Sequence, residues 1–151
     1  MPVDQNYYQG MEWHVTTGFQ TSLIGSIAGL SIWNPLTNTQ TVYIHGASAL
    51  ATRASLYFTT SNPTLGTTVT AQNAMPSNTY STVSHAICTY ATSGVAASGT
   101  LYDVAVADSI NRIEMLPGNS LYLICGPGQG ALLLSTVALT SWFSSFVFSE
   151  Y

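Results

Sequence analysis

Turn-forming residues break this chain at short intervals, and that punctuation constrains the fold more than any other feature. NPLTNT, SNPTLG, MPSNT, ATSG, DSIN, PGN and GPGQG each gather Gly, Pro, Asn, Asp or Ser. Such residues accept positive φ, fix φ, or bond to their own backbone. Between the breaks lie strand-forming runs at 26–33, 41–50, 54–60, 68–72, 82–90, 100–107, 112–117, 120–126, 131–139 and 141–151. Short runs so divided are the pattern of an antiparallel sandwich or barrel. No stretch carries an apolar helical stripe with cap residues at its ends. The expected fold is all-β: a jelly-roll-like antiparallel β-sandwich over residues 21–151, preceded by an extended N-terminal arm over 1–20. Within the arm, EWHVTT can add one strand.

Several runs alternate. In TVYIHG, Val42 and Ile44 point one way while Tyr43 and His45 point the other; in SLYLIC, Leu121 and Leu123 oppose Tyr122 and Ile124. Apolar side chains on both faces imply strands covered on both sides, by a second sheet and by a neighbour. Residues 131–148, ALLLSTVALTSWFSSFVF, reach the length of a membrane span without a charge. Their Ser/Thr pairs, their β-branched and aromatic second half and the lack of flanking Lys or Arg assign them to strands instead. Gly118 and Asn119 predict a tight turn joining two strands. GLSIWNPLTNTQTVYIHGASAL, 29–50, predicts a hairpin.

Charge narrows the function. Charged residues are 5% of the chain, against about 25% in an ordinary soluble domain. Two bases, Arg53 and Arg112, face six acids, for a net charge of -4. That excludes a basic stripe for nucleic acid and a grip on anionic membrane. Ser, Thr, Asn, Gln and Gly must cover the exterior. Such groups cost less to desolvate than ions, which suits a protein held inside a large assembly; a secreted Ser/Thr-rich β domain shares the composition. The first residues lack the basic and apolar regions of a signal peptide.

The residues that carry chemistry are sparse. His14, His45 and His85 have no metal-site spacing, and no carboxylate stands beside His45 or His85 in the sequence. No metal or cofactor is expected. Cys88 and Cys125 are expected as buried free thiols, with a bridge possible only if their Cα atoms lie within about 7 Å. Asp103, Asp108 and Glu114 could offer paired carboxylates, but an ion pair of Arg112 with Asp108 or Glu114 accounts for them more simply. Asp103 interrupts an apolar strand and needs a partner; Arg53 is the candidate, within the chain or across to another subunit. GPGQG lacks the Lys of a phosphate loop, and no G-x-S-x-G elbow occurs. The expectation is a non-enzymatic protein. What remains is an interaction surface. Tyr7, Tyr8, Met11 and Trp13 anchor the arm to another subunit, with Trp33, Tyr43 and Trp142 as further interface candidates.

Two stretches carry a resemblance. Gly-Leu-Ser-Ile-Trp33-Asn34-Pro35, a short polar turn and Thr-Val-Tyr-Ile resemble a hairpin of small virion proteins of tailed bacteriophages, although the turn here is LTNTQ where those are richer in Gly, Ser and Lys. The ending Trp142-x-x-x-x-Val147-x-x-Glu150-Tyr151 resembles the last strand of the same proteins. Together they cover about a third of the chain. The resemblance implies a head decoration (cement) protein, a homotrimer of β-sandwiches on the outer surface of the capsid against the major capsid protein. A head-fibre or receptor-binding domain with a sugar-facing rim, or a cupin- or lectin-like module, are the alternatives.

Overall fold

The computed structural model describes residues 11–74, 83–116 and 122–151. Twelve strands follow in order: β1 (Glu12–Thr16), β2 (Gln20–Thr21), β3 (Ile27–Asn34), β4 (Val42–Thr59), β5 (Thr67–Val69), β6 (Gln72–Asn73), β7 (Ile87–Ala91), β8 (Thr100–Met115), β9 (Leu123–Cys125), β10 (Gln129–Thr136), β11 (Ser141–Trp142) and β12 (Ser144–Glu150). Among the described residues there is no helix, and every pairing is antiparallel. The main sheet runs β5-β7-β3-β10-β4-β12-β1-β6, with β8 and β9 along the other edge of β4; β2 and β11 form a separate ribbon. The fold is thus an all-β, antiparallel, curled sheet.

Strand β4 makes the curl. Its 18 residues extend roughly 60 Å, too far to lie flat against one small core. Residues 42–49 pair with β12, and residues 54–59 pair with β10. The strand changes neighbours midway and carries the sheet round the main core. Leu30 and Ile32 of β3, Val42, Ile44 and Leu56 of β4, Leu133 of β10 and Phe146 and Phe148 of β12 are all buried there. Full burial of one such side chain contributes about 1.5–3 kcal/mol. Cys88 and Cys125 are free thiols in this core, both pushed up to about 12, Cys88 by burial and then by Glu150, Cys125 by burial alone.

Four expectations need correction. First, 29–50 is not a hairpin: β10 lies between β3 and β4. Asn34 redirects the chain. Fully buried, its side-chain amide donates to the carbonyls of Gln40 (2.9 Å) and Cys125 (3.0 Å), while its Oδ1 accepts from Asn38 (2.7 Å). Second, DSIN is no turn. Ala51 faces Asn111 and Arg53 faces Val106, so residues 107–110 bulge out of one continuous β8. Third, β8 and β9 run the same way along β4 and do not form a hairpin, since Met115 faces Ala47 and Leu123 faces Ile44; Gly118 and Asn119 themselves lie outside the described residues. Fourth, the strand expected at EWHVTT forms as β1, but it is docked on this domain's own sheet. β1 is paired with β12 and β6, Val15 is buried, and Trp13 stacks on Phe148 at 6.0 Å. The expected reading of 131–148 as strands holds: it supplies β10, β11 and β12.

Candidate functional site

The outer face of β9, β4 and β12 gathers Tyr43, His45, Tyr122 and Tyr151. Leu123, Ile44 and Phe148 face one another across these strands and enter the core. Alternation therefore turns Ile124, Tyr43 and Ser149 outward. A bulge follows: Ile44 pairs with Phe148 but Gly46 pairs with Val147, which leaves His45 as the extra residue. His45 lies on the same face as Tyr43, with its ring against Tyr122.

Four rings meet there. Tyr43 and Tyr151 stand edge to face at 4.9 Å, and His45 and Tyr122 do so at 4.8 Å. Together they line a cavity of about 430 Å³. His45 Nε2 shares a 2.6 Å hydrogen bond with Ser149 Oγ. Burial holds the His45 imidazole below its ordinary value, which keeps the ring neutral near pH 7. Tyr151 is fixed by backbone bonds in both directions with Thr41. A second cavity adjoins at His45, of about 280 Å³, with Ser48, Arg112, Glu114 and Ser145 in its lining. His14 lies near it, held low by burial and then by Arg112.

Ser149, whose hydroxyl lies against the His45 ring, is fully buried. Among the described residues the Nδ1 of His45 has no hydrogen-bond partner, so no acid there orients the imidazole as a triad requires. Among the described residues no three His, Cys, Asp or Glu side chains gather as a metal site.

The other sequence candidates separate. Arg112 pairs with Glu114 at 3.5 Å, both exposed, and donates weakly to Ser48. Arg53 and Asp103 form no ion pair among the described residues. Asp103 stands exposed on the outer strand β8 and accepts from the Val104 amide; the water at this edge removes the need for a cation. Asp108 lies in the bulge of β8. Trp13 and Trp142 are core residues, not interface anchors. Trp142 is fully buried with Ala28 and Val137, and its indole donates to Ser135 Oγ. Met11 packs against the main core. Trp33 is half-buried across from Gly130, where an added Cβ would meet its ring at 2.9 Å and the Ile32 carbonyl at 2.4 Å. Tyr7 and Tyr8 lie outside the described residues.

Sequence reasoning missed a buried carboxylate. Glu150, 0% exposed, accepts from the Ser84 hydroxyl, from the amides of His85 (3.1 Å) and Ala86 (3.2 Å) and from His85 Nδ1 (3.1 Å). It clasps residues 84–86 to the end of β12. Nothing adjacent in sequence signals this; a lone acid in an aromatic strand was the available clue.

Two exposed apolar surfaces complete the inventory. On β8, Leu101, Tyr102, Val104, Val106 and Ile110 are all more than 40% exposed, and Val106 reaches 69%. At the β2–β11 ribbon, Phe19, Leu23, Ile24 and Leu139 are exposed, and Phe143 stands edge to face with Phe19. Comparisons with protein families, with curated protein sequences and with solved structures return no match.

Proposed function

We propose that this chain is a non-enzymatic virion protein that decorates and stabilises a capsid, as a homotrimer on the outer surface of the coat lattice against the major capsid protein. In this reading the curled sheet is a jelly-roll-like sandwich, with β4 and β8 running through both of its layers. The observation that carries it is the apolar strip on β8. Sixteen residues, roughly 53 Å of strand, pair with β4 alone among the described strands. An exposed apolar strand edge on a lone molecule invites association, and a trimer that packs these strips together removes it from water.

The ribbon surface supplies the second contact. Hydrogen bonds from Ser22 to Thr140 and from Gly25 to Val137 hold the Leu23–Ile24 turn beside residues 137–140. Its four exposed apolar side chains, Phe19, Leu23, Ile24 and Leu139, suit an apolar site on a coat subunit. Three weak contacts, linked in a trimer, act at high effective concentration. Binding that occurs only on the assembled lattice stabilises that lattice by mass action.

The test is co-sedimentation of the purified protein with empty capsids of its own virion. Wild type is expected to saturate the shell and raise its melting temperature. Leu23→Glu with Ile24→Glu is expected to abolish binding without changing the protein's own mass in solution. Binding that survives this double substitution, or a shell no more stable when decorated, overturns the reading.

A further inference from the structure

We propose that the cavity between Tyr43, His45, Tyr122 and Tyr151 binds a neutral sugar ring of the pyranose class. This site is separate from the two apolar surfaces assigned above, and it adds a ligand to a protein otherwise described by its protein contacts.

Size is the first argument. A cavity of about 430 Å³ lies within the usual range for small-molecule sites and accommodates one or two hexose rings. Surface chemistry is the second. The walls are aromatic, and among the described residues no Asp, Glu, Lys or Arg lines them. A phosphate, carboxylate or acidic sugar would find no cation. A quaternary ammonium would find aromatic faces but no carboxylate, because Glu114 lines the adjoining cavity and is paired with Arg112. A pyranose carries an apolar face of C–H groups that packs on aromatic rings, and hydroxyls that the phenol groups of three tyrosines can meet at the rim.

Rigidity is the third argument. Precise sites need side chains held by their surroundings. Tyr43 stands on a paired strand, Tyr151 is tied by two backbone bonds to Thr41, and the His45 ring is fixed through Ser149. The edge-to-face geometry of both ring pairs braces the walls before any ligand arrives, so little entropy is lost on binding.

Saturation-transfer difference NMR on the full chain tests the assignment. The probes are the methyl glycosides of glucose, galactose and N-acetylglucosamine at about 10 mM, suited to a millimolar site, with tetramethylammonium as the rival ligand. At least one glycoside is expected to receive saturation on its ring C–H protons. Tyr122→Ala and Tyr151→Ala are expected to weaken its binding about ten-fold. Tyr122→Phe, which keeps the ring and the fold, is expected to retain most of it. Absence of saturation in all three glycosides overturns the proposal. So does saturation that persists in both alanine variants with unchanged melting temperatures. Tyr122-dependent saturation of tetramethylammonium without any glycoside signal overturns it in favour of a cation site.

Discussion

Replacing Glu150 with Gln isolates one buried carboxylate and should cost a large part of the fold's stability. The carboxylate takes four donors from residues 84–86, two of them backbone amides. Glutamine keeps the shape but makes one oxygen an NH2 group, a donor turned toward other donors. Hydrogen bonds to a charged group contribute about 1.5–3 kcal/mol each, neutral ones about 1. With one acceptor lost and the rest weakened, the expected loss is about 3–5 kcal/mol, the range for breaking a buried charged contact. Domains of this size hold about 5–15 kcal/mol in all. With a urea slope of about 2 kcal/mol per molar, the unfolding midpoint should fall by roughly 1.5–2.5 M. His85→Ala is the control. Its ring is 62% exposed, so screening limits the loss to about 1 kcal/mol. An E150Q midpoint within about 0.3 M of wild type, or an H85A loss as large as that of E150Q, would refute the reasoning.

Three other outcomes follow from the same physics. Burial lowers the His45 value from 6.5, so the unfolded chain takes up that proton first as pH falls. Stability from this group is therefore intact above about pH 6.5 and lost below it, by at most about 1.4 kcal/mol per pH unit; urea melts of His45→Gln between pH 7 and 5 should show a shallower decline than wild type. Asn34→Ala leaves the buried carbonyls of Gln40 and Cys125 and the Asn38 amide short of a partner, at a cost of roughly 2–3 kcal/mol measurable by thermal denaturation. Gly130→Ala drives a Cβ against the Ile32 carbonyl and the Trp33 ring; overpacking of this kind costs about 1–3 kcal/mol, and an unchanged melting temperature would contradict the close approach of β3 and β10.

What could be read from the sequence was local. Alternation set Val42 and Ile44 on one face and Tyr43 and His45 on the other, because period two is a property of the strand itself, and the structure buries the first pair. The Arg112–Glu114 pair was legible because the partners are two residues apart on one side of β8. Failures came where distant strands decided the outcome. Residues 29–50 look like a hairpin, but β10, about a hundred residues on, is inserted between the two strands. DSIN carries turn chemistry, yet β4 holds both flanks of it and converts the turn to a bulge. Trp13 and Trp142 read as anchors because aromatic content alone cannot tell interface from core. The ring cluster drew Tyr43, His45, Tyr122 and Tyr151 from three separated stretches, and of these only Tyr43 was a candidate interface residue.

The central claim is that the exposed apolar strip of β8 is covered by protein in the working state. Light scattering coupled to size-exclusion chromatography tests it most directly, on wild type and on Leu101→Glu with Val106→Glu, two exposed positions. The expected mass is about three times the 16.1 kDa chain for wild type and a single chain for the variant, with melting of the variant's sheet still cooperative. A wild-type protein that elutes as a single chain at every concentration, or a variant that keeps the wild-type mass, would contradict it.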